Sequence, residues 1–248
     1  MKRLKLERVL VERGFAVDVD EARRLIERDV VLVNGSIASN PERLVAGADQ
    51  LLIVQPTRFV SRGGEKLEHA LDAFDLDPRG MIAVDLGSST GGFTDCLLQH
   101  GCAQVYAVDV GENLLHERIA GDGRVLVLAG VNVKDVERLP AHVADIVVVD
   151  LSFISAVSAL PAIGAVTRDE AEIVVLVKPQ FEADRSEADR FGGVIDDPTI
   201  RMRTVHEVTA AFVQAGLEHR GVVESPIRGH KGNVEYLSWF HKGPRTTP

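Results

Sequence analysis

The stretch Ile82-Ala83-Val84-Asp85-Leu86-Gly87-Ser88-Ser89-Thr90-Gly91-Gly92-Phe93-Thr94 restricts the possible folds more than any other. A short apolar run carrying Asp85 gives way to a Gly/Ser/Thr turn, and a helix-compatible segment continues to Gln99. That order is strand, tight loop and helix N-terminus, a loop that brings backbone close to a ligand and points free N–H groups at it. Twenty-two residues beyond Gly87, a second apolar run, Val105-Tyr106-Ala107-Val108, ends in Asp109. In doubly wound sheets an acid about 20 residues past the glycine turn binds the hydroxyls of a nucleoside ribose. The pair reads as a nucleoside-cofactor site, with Gly87, Ser88, Gly91, Gly92 and Asp109 as its candidate residues.

Other glycine-loop chemistries fit less well. The dinucleotide fingerprint needs a glycine where Ser89 stands, and the phosphate-binding loop needs a lysine where Phe93 stands. The nucleophile elbow GxSxG does fit, with Gly87, Ser89 and Gly91, and Asp150 and His230 follow in the order a hydrolase requires. That reading gives Asp109 no role and finds no HGGG-like oxyanion stretch upstream. A tight strand–helix connection without any ligand is the remaining reading.

Apolar runs at 82–86, 104–109, 125–128, 145–149 and 173–177 alternate with helical stretches. Such spacing predicts a parallel sheet buried on both faces. A helix near 199–215 and strands near 220–224 and 234–240 complete the series. Ligands of such sheets bind at the strand carboxyl ends, which here carry Asp85-Leu86-Gly87, Asp109, Asp150 and Lys178.

The first 55 residues are organised differently. Helices are expected from about Lys5 to Arg13 and from about Asp20, whose carboxylate can cap the second. Val30-Val31-Leu32-Val33, the turn pair Asn34-Gly35 and Leu51-Leu52-Ile53-Val54 predict a small sheet. The chain as a whole carries a net charge of −9, which argues against a nucleic-acid partner. Residues 1–60 nevertheless net +1 against −10 for the rest, so any phosphate-binding surface belongs in that part. Arg23, Arg24 and Arg28 fall on the outer side of the second helix. No apolar run reaches the ~18 residues of a membrane span. The charged start, Met1 to Arg8, has no signal-peptide core, so a cytoplasmic protein without membrane association is expected. Two cysteines and scattered histidines predict no metal.

Leu10-Val11-Glu12-Arg13-Gly14, Ala22-Arg23-Arg24-Leu25-Ile26 and Val31-Leu32-Val33-Asn34-Gly35 resemble the small RNA-binding domain named after a ribosomal small-subunit protein. The resemblance implies phosphate contact by Arg23, Arg24 and Arg28. Further blocks are Ser61-Arg62-Gly63-Gly64-x-Lys66-Leu67, Gly87 to Thr94, Asp150-Leu-Ser-Phe-Ile-Ser155, Lys178-Pro-Gln-Phe-Glu182 and Lys231-Gly-Asn-Val-Glu235-Tyr236. In this order they look like the TlyA family of S-adenosylmethionine-dependent rRNA 2′-O-methyltransferases, historically also labelled haemolysins. The resemblance implies an α/β fold, a seven-stranded Rossmann-like methyltransferase sheet with a small α+β N-terminal RNA-binding domain. The domains would be 1–55, a linker at 56–62, the methyltransferase domain at 63–242 and a tail at 243–248. It also implies S-adenosyl-L-methionine as cofactor and, as substrate, ribosomal RNA within ribosomal subunits, modified at a cytidine ribose. The family's catalytic Lys-Asp-Lys-Glu tetrad falls on Lys66, Asp150, Lys178 and Glu235, and Asn132 becomes a candidate for the adenine edge. Glu112-Asn113-Leu114-Leu115 and Gly130-Val131-Asn132-Val133-Lys134 depart from the family pattern at the cofactor edge.

Overall fold

The computed structural model describes residues 3–27, 30–54, 58–184, 187 and 193–244, apart from the side chain of His230. Two compact units divide between Arg58 and Phe59.

In the first unit, β1 (Leu4–Lys5), α1 (Leu6–Glu12) and α2 (Val19–Glu27) precede β2 (Val31–Val33), β3 (Ser36–Ile37), β4 (Leu44–Val45) and β5 (Leu51–Ile53). Leu6, Leu10, Ala22, Ile26, Val31, Val33 and Val45 form its core. Asn34 and Gly35 have φ of 53° and 81°, the paired positive values that a two-residue hairpin turn needs. The cap of α2 lies earlier than the sequence reading placed it. Asp18, not Asp20, accepts the Glu21 amide at 2.7 Å, and the Glu21 carboxylate reaches back to the Val17 amide at 2.6 Å. This reciprocal box satisfies two N-terminal donors, and a capping residue must stand just outside the helix to make it.

The second unit runs α3 (Gly63–Phe74), β6 (Ile82–Leu86), α4 (Gly92–Gln99), β7 (Gln104–Asp109), α5 (Glu117–Ala120), β8 (Val125–Ala129) and β9 (Ala144–Val149). It continues with α6 (Leu160–Val166), β10 (Thr167–Val177), α7 (Pro179–Glu182), α8 (Pro198–Gln214), β11 (Glu218–Glu224) and β12 (Tyr236–Lys242). Its seven-stranded sheet has the order β11-β12-β10-β9-β6-β7-β8. Neighbours from β8 to β10 are parallel, whereas β12 is antiparallel to both β10 and β11. Alternate residues explain the two-sided burial. Val84, Leu86, Val147, Val149, Ile173 and Val175 pack with α6 and α8, while Ala83, Ala107, Ile146, Val148, Val174 and Leu176 pack with α3 and α4.

Two expectations change here. The run at 125–128 lies on the sheet edge, so Leu126 and Val127 are exposed and only part of β8 is covered. β10 begins six residues before its apolar run, with a register shift between Thr167 and Glu172 and Glu170 at a φ of 59°. Of the segment read as a linker, residues 56 and 57 lie outside the described residues. Phe59 is 1% exposed and sits so close over Gly64 that a Cβ there would lie 2.2 Å from the ring. Of the tail from 243, residues 245–248 lie outside the description, as does Arg28. No helix among the described residues is long and apolar enough to cross a membrane.

Candidate active site

Strand order reverses between β6 and β9, and the crevice at their carboxyl ends is where such sheets bind ligands. The turn after β6 crosses this crevice at close quarters. Gly87 and Gly91 have φ of 90° and 92°, and a Cβ would meet the Asp150 carbonyl oxygen at 2.5 Å or Ile119 Cδ1 at 2.2 Å. Only glycine avoids both penalties. The loop's amides are less free than the sequence suggested. Gly87 and Ser88 both donate to the Val108 carbonyl, at 2.9 and 3.1 Å, and Gly91 donates to Ser88 at 2.7 Å. The turn is therefore a shelf tied to β7.

Asp109 holds the other side of that shelf. Its Oδ2 accepts the Ser89 amide and its Oδ1 the Gly111 amide, each at 2.8 Å. Each carboxylate oxygen keeps a second lone pair for a ligand hydroxyl. Asp109 lines a cleft of about 340 Å³ with Gly87, Asn132 and the apolar side chains of Val110, Leu114, Val131 and Leu151. Asn132 is committed in part, since its Oδ1 takes the Lys134 amide at 3.0 Å.

The four tetrad positions arrive from distant elements and form two ion pairs. Lys66, in the first turn of α3, meets Glu235, just before β12, at 2.5 Å. Lys178, after β10, meets Asp150, after β9, also at 2.5 Å and donates to Ser152 Oγ at 2.9 Å. Lys66, Lys178 and Glu235 are buried, at 9%, 8% and 2% exposure. A smaller cavity of about 230 Å³ is lined by Lys66, Asp150, Gly87, Ser88, Gly229 and Arg62. Asp150 thus borders both cavities. Each amine thus has its own carboxylate. The hydrolase reading loses its acid, because Asp150 is paired with Lys178.

Several site groups escaped the sequence reading. Ser152 and Gln180 stand beside recognised residues, but nothing local announces their partners. Glu182 accepts from Ser155 Oγ at 2.5 Å and the Ala156 amide at 2.7 Å, which ties α7 to the loop carrying Asp150. Burial raises its carboxyl above the usual range. Asp85, read only as a strand-end acid, is fully buried and accepts from Thr94 Oγ1 at 2.6 Å. Burial pushes its carboxyl up to about 7; the Thr94 hydrogen bond opposes this and the Asp150 charge adds to it.

An acid whose folded pKa is raised keeps its proton longer when folded. Its contribution to stability is complete below the ordinary value near 4 and is lost as pH rises through about 7. Asp85→Asn should remove that decline. In urea unfolding, the variant should match the wild type near pH 4 and exceed it near pH 8, by up to about 4 kcal/mol. Parallel stability curves for the two proteins would reject the assignment.

The arginines of α2 differ from one another. Arg23 is not a free surface cation, because its Nε donates to Glu7 Oε2 at 2.7 Å, a carboxylate whose side chain is only 6% exposed. Arg24 is exposed. Arg13 is also committed, to the carbonyls of Ala46, Gly47 and Asp49.

The seven-stranded order with its antiparallel β12, the glycine shelf and the acid ending β7 define a Rossmann-like methyltransferase. The FtsJ-like methyltransferase model matches residues 59–242, and the chain belongs to that family. Among its relatives, the 16S/23S rRNA (cytidine-2'-O)-methyltransferase TlyA of Mycobacterium tuberculosis is 41% identical over 244 residues, 96% of this chain and 90% of the relative. Hemolysin A of Brachyspira hyodysenteriae is 36% identical over 239 residues, 96% of this chain and 99% of the relative. A solved structure carrying a hemolysin name, from Streptococcus thermophilus, matches with a TM-score of 0.73 at 34% identity, covering 98% of this chain and 90% of that one.

Proposed function

We propose that this chain transfers a methyl group from S-adenosyl-L-methionine to a ribose 2′-hydroxyl of ribosomal RNA within ribosomal subunits, at a cytidine. The observation that carries the reading is that Lys66 and Asp150, paired with Glu235 and Lys178, line one cavity, and that Asp150 also lines the Asp109 cleft. The rRNA (cytidine-2'-O)-methyltransferase activity for which the TlyA relative is named, matched over 96% of the chain, supports the nucleoside and the reaction.

The residues present suit the cofactor. A glycine shelf that a Cβ would block, a strand-end carboxylate for ribose hydroxyls and apolar walls for a base fit its adenosine half. Gly87, Ser88, Gly91, Gly92 and Asp109 would hold it, with the Asn132 amide at the adenine edge. When bound, it supplies a methyl group made electrophilic by its sulfonium.

The protein must then align a weak nucleophile and handle the hydroxyl proton. Lys178 is the candidate for that work, oriented by Asp150 and Ser152. Its amine can stabilise the developing oxyanion or take the proton. Lys66, oriented by Glu235, brings a second amine to the cavity that Asp150, the partner of Lys178, also lines. A 2′-hydroxyl acceptor makes RNA, not DNA, the substrate.

In the small unit the exposed Arg24 is the phosphate contact to test. Arg24→Glu should weaken binding to ribosomal particles and lower the slope of log affinity against log salt by about 1, leaving cofactor binding unchanged. Arg23→Glu should instead destabilise the small unit, because it sets a second carboxylate against buried Glu7. The function itself is tested by tritiated methyl transfer to ribosomal subunits, with the modified riboses mapped. Transfer to base nitrogen or carbon, or none to rRNA, would overturn it.

A further inference from the structure

The turn Lys178–Glu182 sends side chains to both ion pairs. Lys178 reaches Asp150 and Ser152, and two residues on, Gln180 Nε2 donates to Glu235 Oε1 at 3.1 Å. The other oxygen of Glu235 takes Lys66 at 2.5 Å. The backbone of Gly229 closes on the same carboxylate, so that a Cβ there would lie 1.9 Å from Oε1. Gln180 Oε1 is buried without a hydrogen-bond partner among the described residues, so the bond to Glu235 sets which way the amide faces. Pro179 separates the two polar side chains and restricts the backbone between them. Glu182 fastens the far end of the turn to Ser155 and Ala156.

We propose that Gln180 is a positioning residue that holds Glu235, and through it Lys66, in fixed relation to the Lys178–Asp150 pair. An amide suits this place because it donates to a carboxylate without adding charge. A carboxylate there would repel Glu235, and a hydrocarbon would leave one of its oxygens without a donor. The sheet already sets the two pairs side by side, since Val177 and Tyr236, the neighbours of Lys178 and Glu235, are register partners of β10 and β12. The Gln180 side chain adds a hydrogen bond that fixes the Glu235 carboxylate against the turn.

Two substitutions test this, and only their rate arm rests on the methyl-transfer reading. In Gln180→Glu, two carboxyl groups at hydrogen-bond distance should share one proton. Carbon-13 NMR of labelled glutamate should then show one more raised carboxyl titration than the wild type, in which burial already raises that of Glu182. Below that titration the protonated Glu side chain can donate as the amide does, and kcat for rRNA methylation should approach the wild-type value. Above it kcat should fall by about tenfold or more relative to wild type, with cofactor Kd unchanged.

Gln180→Leu should lose about tenfold in kcat at every pH, the scale of one hydrogen bond to a charged group. Where the leucine variant fails to fold, the glutamate variant alone decides. A pH–rate profile of Gln180→Glu parallel to that of the wild type, or the absence of an additional raised carboxyl titration, would overturn the proposal. A wild-type protein that transfers no methyl to rRNA would instead refute the functional reading, and the titration would still decide the role of Gln180.

Discussion

Lys178→Ala is expected to lower methyl transfer to rRNA by about 10²–10⁴-fold, the range for losing a positioned proton-transfer group. Fold and cofactor affinity should survive. Lys178 stands beyond the end of β10 and makes its polar contacts to Asp150 and Ser152, not to the core. The Asp150 side chain retains 24% exposure, so water can solvate the carboxylate that the deletion leaves unpaired. Lys178→Arg separates the two possible roles, because arginine donates hydrogen bonds but cannot act as a base at neutral pH. Activity above about a tenth of wild type in the arginine variant would assign oxyanion stabilisation. Full activity in the alanine variant, read by tritiated methyl transfer to subunits, would remove Lys178 from the mechanism.

Asp109→Ala should weaken S-adenosylmethionine binding by on the order of 10²–10⁴-fold, since two ribose hydroxyls would each lose a charged acceptor worth about 1.5–3 kcal/mol. The loss has a second source. Asp109 also holds the Ser89 and Gly111 amides, so alanine releases the glycine shelf from β7 on one side. Asp109→Asn distinguishes the two contributions. Its amide can keep one of the two backbone bonds but lacks the charge, and its affinity should fall between wild type and alanine. Calorimetry measures both, and an unchanged Kd in the alanine variant would reject the cleft as the adenosine site.

Much of this site was legible before any fold was known. The strand-end positions of Asp109, Asp150 and Lys178 follow from apolar runs that stop at a polar residue. The glycine turn announces itself by residue type. The neighbourhood of Gln180 was not legible, although its segment was recognised. Its partner Glu235 lies 55 residues away, and an amide beside a lysine carries no local signature. The pairing of Arg23 was hidden for the same reason. A basic cluster looks like a binding face until Glu7, sixteen residues back, is found paired with Arg23.

The sequence by itself determined the alternation of strand and helix, the close-approach turn and the chemical types at the ligand edge, because these depend on periodicity and local backbone preference. The tertiary structure alone decided that β8 is a half-exposed edge and that Asp85 is buried enough to carry a raised pKa. It alone joined Lys66 to Glu235 across 169 residues of chain. Burial and ion pairing depend on which distant segments the sheet order makes neighbours, and that order is set by packing of the whole unit.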